Sequence, residues 1–235
     1  AAVLDGPGFL PHQPDLVEGL AGDHPAFGEY SETLAVAGDN AVSRPVTPVW
    51  PQQSQQVHQE VNDAFRDAAD TVVDLSADFR LDSEAEYDEW YDGHDRPELL
   101  ADAEYALPEL NRDNLDGAEL IASGGCNATA TILGLLPLFE HGVLSGDEQI
   151  VVDVKVGSSE GGAGGGEASS HPERSGVVRP YAPTGHRHEA EIEAFLGTQV
   201  SFSAHAVDMT RGASATCHVY PDDPVSTGEL WTAYR

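Results

Sequence analysis

Glu119-Leu120-Ile121-Ala122-Ser123-Gly124-Gly125-Cys126-Asn127-Ala128-Thr129 is the stretch on which the reading of this 235-residue chain turns. Glu119 to Ala122 predicts a short strand and the glycine pair a turn. Helical sequence follows Asn127, with Ile132, Leu135, Leu136 and Phe139 apolar and Pro137 expected to bend it. A cysteine where a strand turns into a helix meets unpaired backbone N–H groups and the positive end of the helix dipole, both of which stabilise a thiolate. The same residue can equally be a small structural cysteine, so other residues must decide.

Working upstream, Val57, Val61, Ala64, Phe65 and Ala68 recur at helical spacing ahead of an apolar run from Thr71 to Leu75, which suits one α-β step of a parallel sheet. Acidic helical sequence runs from Ser83 to Tyr91, followed by a loop with Pro97 and Pro108. Residues 1–55, rich in proline and glutamine, predict little regular structure. Downstream the period becomes two: Ile150, Val152, Val154 and Val156 share one strand face, with Asp153 and Lys155 on the other. Residues Gly157 to Ser170 are rich in glycine and serine and read as a loop or lid. Two alternating strands, Val200 to Val207 and Ser214 to Tyr220, flank the end of this region, with a helix from Glu189 to Leu196 closed by Gly197. Ser226 and Glu229 have capping-box spacing. Strands alternating with helices, then a run of antiparallel-type strands, predict two unlike domains, α/β followed by α+β, at 1–125 and 126–235.

Acidic residues number 41 against 11 basic ones, and Lys155 is the single lysine. Nucleic acid is excluded as an expected partner. The acid is spread along the chain, as in proteins adapted to stay hydrated in strong salt, although an ordinary acidic protein has the same sign of charge. No apolar run reaches membrane-span length and no signal-peptide pattern opens the sequence, so a cytoplasmic location with no membrane contact is expected. Two cysteines, Cys126 and Cys217, show no metal-type spacing.

Gly185-His186-Arg187-His188 places two histidines able to exchange protons near neutral pH beside a fixed positive charge for phosphate or carboxylate. A solvated histidine pair is the plainer alternative. A metal held by His171, His186 and His188 beside Cys126 has no ligand spacing to support it, and no metal is expected. Arg174 and Arg179 flank the glycine-serine loop, and near a cysteine nucleophile they point to an anionic substrate.

Four ordered motifs give this chain a resemblance to a known family. They are Val73-Asp74-Leu75-Ser76-Ala77-Asp78-Phe79-Arg80, Tyr105-Ala106-Leu107-Pro108-Glu109-Leu110-Asn111-Arg112, Gly125-Cys126-Asn127-Ala128-Thr129 and Gly185-His186-Arg187-His188. From about Asp63 onward the sequence is similar to the N-acetyl-γ-glutamyl-phosphate reductases, and Cys126-Asn127-Ala128-Thr129 resembles their archaeal branch, which acts on substrates attached to an acidic amino-group carrier protein. The resemblance implies a Rossmann-like NADP-binding domain followed by a mixed-sheet substrate domain like that of glyceraldehyde-phosphate dehydrogenase, and homo-oligomers in intact relatives. It implies Cys126 as nucleophile, His186 or His188 as proton carrier, and Arg187, Arg174, Arg179 and Asn127 at the substrate, which is a small acyl phosphate or its carrier-bound form. Gly8, Phe9 and Ser76 are the implied cofactor contacts. The first residues depart from the family's glycine turn: Asp5 and Pro11 stand where glycines let backbone approach a pyrophosphate. With a C-terminus short of the family's length, this leaves an incomplete Rossmann domain and a competing expectation, a truncated and inactive homologue.

A formal net charge of −30 predicts that compactness depends on screening. The melting midpoint is expected to rise steadily from low to molar KCl; a midpoint indifferent to salt removes the halophilic reading.

Overall fold

The computed structural model describes the backbone of residues 33–37 and 42–45, and residues 71–161 and 170–235. Val57 to Ala68, Gly8 and Phe9 lie outside the described residues. The elements are β1 (Thr33–Ala37), β2 (Val42–Pro45), β3 (Thr71–Asp74), α1 (Glu84–Trp90), β4 (Ala103–Ala106), α2 (Pro108–Asn111), β5 (Leu120–Ser123), α3 (Cys126–Glu140), β6 (Gln149–Val156), α4 (His171–Arg174), β7 (Val178–Ala182), α5 (His188–Leu196), β8 (Ser201–Val207), β9 (Ala213–Tyr220) and α6 (Thr227–Ala233). Among the described residues the chain divides into two compact units, parting between Ser123 and Gly124, with Glu86–Asp92 belonging to the second.

The first unit holds a five-stranded sheet in the order β2-β1-β3-β5-β4. β3, β5 and β4 run parallel, as the α-β reading requires. β1 is antiparallel to both β2 and β3, so residues expected to lack regular structure supply two strands. Their proline-rich surroundings obscured a β-prone run, Thr33-Leu34-Ala35-Val36-Ala37, which pairs along both edges. β4 was also hidden between Pro97 and Pro108; those prolines open a 3-10 turn (Pro97–Asp102) and helix α2 on either side of it.

The carboxyl end of β3 is fastened by its own side chains. Asp74 Oδ1 accepts the Ser76 N–H at 2.7 Å and Ser76 Oγ accepts the Asp78 N–H at 3.1 Å. Arg80, buried, donates from Nε to the Ser123 carbonyl at 2.8 Å and from Nη2 to the Leu75 carbonyl at 3.0 Å, tying the ends of β3 and β5 together.

The second unit is built on a four-stranded sheet in the order β7-β8-β6-β9. β6 alternates as expected, with Ile150, Val152, Val154 and Val156 all buried. The expected run of antiparallel strands is corrected in one pairing: β6 and β8 are parallel, because β7 and α5 intervene and carry the chain back to its starting edge. β9 and β7 are antiparallel to their neighbours, making a mixed sheet. β7 was missed because Pro180 lies within it, which is tolerated on an edge strand.

Helix α3 packs against β9, α5 and α6, burying Ala128, Thr131, Ile132, Leu135 and Leu138 at helical spacing. It continues through Pro137 to Glu140, so the helix carries on for three residues past the backbone bond that the proline cannot donate. The capping box at α6 forms as read, with Ser226 Oγ accepting the Glu229 N–H and Glu229 returning a bond to the Ser226 N–H.

The start of the glycine-serine region is a fixed turn. Gly157, Ser158 and Ser159 donate backbone N–H groups to the carbonyls of Gly212, Met209 and Thr210 at 2.8–2.9 Å. A Cβ on Gly157 would stand 2.8 Å from Arg211 N and 2.9 Å from the carbonyl carbons of Thr210 and Arg211, all backbone atoms with nowhere to move. Gly157→Ala is therefore expected to destabilise by about 2 kcal/mol or more, lowering Tm by several degrees. Gly134→Ala, at a helical position with open space around it, is expected to hold or raise Tm by comparison.

Candidate active site

Cys126 is the first residue of α3 and is exposed. Gly125, the N-cap, has extended backbone and supplies no side-chain cap to the first turn of the helix. The Gly125 N–H donates to Glu191 Oε2 at 2.7 Å. Glu191 is fully buried on α5, and its Oε1 stands 3.7 Å from Nε2 of His188, one turn earlier on the same helix. A Cβ on Gly125 would fall 2.5 Å from His188 Nε2 and 2.7 Å from Glu191 Oε1, so only glycine permits this approach.

The two histidines are adjacent but not equivalent. His188 is buried and opens α5; His186 precedes the helix, with its ring 4.5 Å from that of His188 and in a T-shaped arrangement. His186 Nδ1 accepts the His188 backbone N–H at 3.1 Å, and the His186 N–H donates to Glu189 at 2.7 Å. Burial, and then the neighbouring Arg187 charge, push His186 down to about 4.

A second cluster reaches Cys126 from its other neighbour in sequence. The Cys126 thiol donates to Asn127 Oδ1 at 3.5 Å, and Asn127 Nδ2 donates to the Tyr181 hydroxyl at 3.2 Å. That hydroxyl donates to Glu160 Oε2 at 3.4 Å, and Glu160 Oε1 accepts from Arg174 Nη2 at 3.0 Å. Arg174 Nη1 also donates to the Val156 carbonyl at 3.2 Å. Burial chiefly, with the Glu160 charge next, raises the Tyr181 pKa, so the phenol keeps its proton.

Of the residues expected at the site, Cys126, Asn127, His186 and His188 are brought into these clusters. Arg174 is corrected: only 5% of its side chain is exposed and it is committed to Glu160 and Val156, so it frames the site and is not free to hold a phosphate. Arg179 is exposed on edge strand β7, and Arg187 lies over the Tyr91 ring at 5.4 Å. His171 stands apart, with Nδ1 3.2 Å from Ser158 Oγ, and among the described residues no group of three or more His, Cys, Asp or Glu is arranged to hold a metal ion. Ser76 sits in the turn at the carboxyl end of parallel strand β3, the edge where open α/β sheets take nucleotides. Sequence reasoning missed Glu191, Glu160 and Tyr181. Glu191 is detectable only through helix phase, since it lies three residues beyond His188 between apolar Ala190 and Ile192.

Comparison with known proteins places both units. Residues 24–118 match the family model for the semialdehyde dehydrogenase NAD binding domain, and residues 126–235 the model for the semialdehyde dehydrogenase dimerisation domain. A protein of Natronomonas pharaonis is 81% identical over 179 residues, 76% of this chain and 52% of that one, and a protein of Haloarcula marismortui is 82% identical with the same coverage. Both are provisionally named LysW-L-2-aminoadipate/LysW-L-glutamate phosphate reductases. A Saccharolobus solfataricus protein with that name is 48% identical over 168 residues, covering 68% of this chain and 47% of its own length. The chain thus spans about half the length of these curated relatives. Among solved structures, aspartate semialdehyde dehydrogenase II of Vibrio cholerae, complexed with ASA, shares the fold with a TM-score of 0.57 at 14% identity, covering 87% of this chain and 66% of that one. The NADP-containing enzyme of Candida albicans gives 0.53 at 12% identity, covering 76% and 52%. Among the described residues no helix is long and apolar enough to cross a membrane. With matching models over both halves and relatives at about four-fifths identity, this chain belongs to the semialdehyde dehydrogenase family, beside the proteins named LysW-linked phosphate reductases.

Proposed function

We propose that the protein reduces an acyl phosphate to its semialdehyde with NADPH, acting on a glutamyl or 2-aminoadipyl phosphate in arginine or lysine synthesis, carrier-bound in preference to N-acetylated. The observation that carries this is the exposed Cys126 at the start of α3, one residue after a glycine whose N–H is fixed by buried Glu191 beside His188. The names of the relatives support the substrate class, and a cytoplasmic homo-oligomer is the setting that fits it.

Cys126 thiolate attacks the acyl carbon, the C–S bond forms, and phosphate leaves with the electrons of the C–O bond. Bound NADPH supplies the hydride that reduces the resulting thioester. Helix N–H groups at the start of α3 stabilise negative charge developing on the carbonyl oxygen. Collapse of the hemithioacetal breaks the C–S bond, returns the electrons to Cys126 sulfur and gives the aldehyde.

Of the two histidines that the resemblance implies as proton carrier, protons pass through His188 in this scheme. His188 Nε2 stands 3.7 Å from the Glu191 carboxylate that also holds the Gly125 N–H, whereas His186, held down to about 4, stays neutral at neutral pH and orients its neighbour. Arg187 and Arg179 remain the candidates for substrate phosphate or carboxylate. Ser76, at the carboxyl end of β3, keeps a hydroxyl proton to donate to a bound nucleotide, which fits the NAD-binding domain match.

Labelling with iodoacetamide at neutral pH is expected to modify Cys126 at least tenfold faster than Cys217, whose thiol is pushed up by burial in β9. Cys126→Ser should abolish the fast phase and NADPH oxidation together. Equal labelling of the two cysteines would overturn the mechanism. Fast labelling with no NADPH oxidation by any acyl phosphate would favour the inactive homologue, for which Asp5 and Pro11, standing in the sequence where the family's motif has glycines, are the specific signal.

The state of His186 sets an acid limit on stability. An unfolded chain binds the proton near pH 6.5 and the folded one only near pH 4, so between them the unfolded state holds more protons and stability falls as pH is lowered. His186→Asn is expected to flatten Tm against pH across that window, while an unchanged slope would contradict the half-buried neutral imidazole.

A further inference from the structure

The chain of hydrogen bonds from Cys126 has a direction. Thiol to Asn127 carbonyl, Asn127 amide to Tyr181 oxygen, Tyr181 hydroxyl to Glu160: each proton points away from the sulfur. This polarity suits a protonated Cys126. A thiolate accepts, so it is better served by the NH2 end of the Asn127 amide, and turning that amide points its carbonyl at Tyr181. Asn127 is 1% exposed, so the turned carbonyl needs a donor from the protein. Tyr181 is the residue in contact, and as a neutral phenol it has one proton for two claimants. Glu160 holds that proton in this structure, and Glu160 is itself held by buried Arg174 and by the rigid turn that begins at Gly157.

We propose that Tyr181 and Glu160 are positioning residues for Cys126: the Tyr181 hydroxyl, given either to Glu160 or to Asn127, sets which end of the Asn127 amide faces the sulfur. The proposal rests on Cys126 being the reactive thiol. Glu160 thus favours the resting thiol, and release of Tyr181 from Glu160 favours the thiolate. The titratable groups around this path are Glu160 on the turn after β6, Tyr181 on β7, and His186, His188 and Glu191 at the start of α5. His186 faces Tyr181 with ring centroids 5.9 Å apart.

The test is a double-mutant cycle read by alkylation rate against pH in the full chain carrying Cys217→Ser. Glu160→Asp keeps the charge beside Arg174 but withdraws the carboxylate from the Tyr181 hydroxyl. It is expected to lower the Cys126 titration midpoint by about one unit and speed alkylation roughly tenfold at pH below that midpoint. With Tyr181→Phe already present, Glu160→Asp should have no such effect. Labelling unchanged by Glu160→Asp, or an equal acceleration in the Tyr181→Phe background, overturns the relay; the second result would assign the effect to the carboxylate's direct field. If Glu160→Asp does not fold, the Cys217→Ser chain decides alone: the side-chain NH2 resonances of Asn127 should shift with the same midpoint as the Cys126 thiol and stay still in Cys126→Ser. Resonances that do not move sink the proposal. None of these readings needs NADPH or an acyl phosphate, so an inactive reductase with an intact relay, or an active one without it, separates the two proposals.

Discussion

A single buried carboxylate organises the catalytic unit. Glu191 has no exposed surface, and a carboxyl group in that position is costly unless its oxygens are met. One accepts the Gly125 N–H, which pins the residue before Cys126, and the other stands beside His188. Helix α5 thereby reads the position of helix α3 through one side chain. Removing the carboxylate would strand a buried N–H, and adding a methyl to Gly125 would press on both partners, so turn and helix constrain each other.

The same logic explains how a chain this acidic stays ordered at its site. Arginine is scarce, yet Arg80 and Arg174 are buried and fully engaged, one closing the strand ends in the first unit and the other fixing Glu160 in the second. Salt screens exposed charges over a few ångströms at molar strength but acts far less on buried pairs. High salt therefore relieves repulsion over the acidic surface while these internal bonds keep their strength. The surface charge and the site frame respond to different conditions, which lets composition drift toward acid without disturbing the geometry around Cys126.

Much of the fold was legible because local pattern and tertiary role agree. The strand, glycine turn and helix around Cys126, the alternation of β6, the left-handed Gly197 that ends α5 and the capping box of α6 each rest on local chemistry. The illegible parts were those where a local signal opposed the outcome. Prolines flank β4 and interrupt β7, and the prolines around β1 and β2 masked strands whose ladder partners lie elsewhere in the chain. The parallel pairing of β6 with β8 is a property of the connection between them and leaves no mark on either strand's sequence.

Site residues divide in the same way. Cys126 and the histidines announce themselves as residue types, whereas Glu160 and Glu191 are two acids among 41 and gain meaning only from the groups they touch. The pair His186 and His188 shows why type alone is insufficient. Two residues apart, one precedes α5 and one begins it, so only His188 lies on the face that carries Glu191 three positions later. His186, left outside the helix, accepts a backbone N–H and is held neutral by burial, while His188 shares a buried carboxylate with the turn before Cys126. Helix phase, more than identity or spacing from the cysteine, separates the histidine that meets Glu191 from the one that does not.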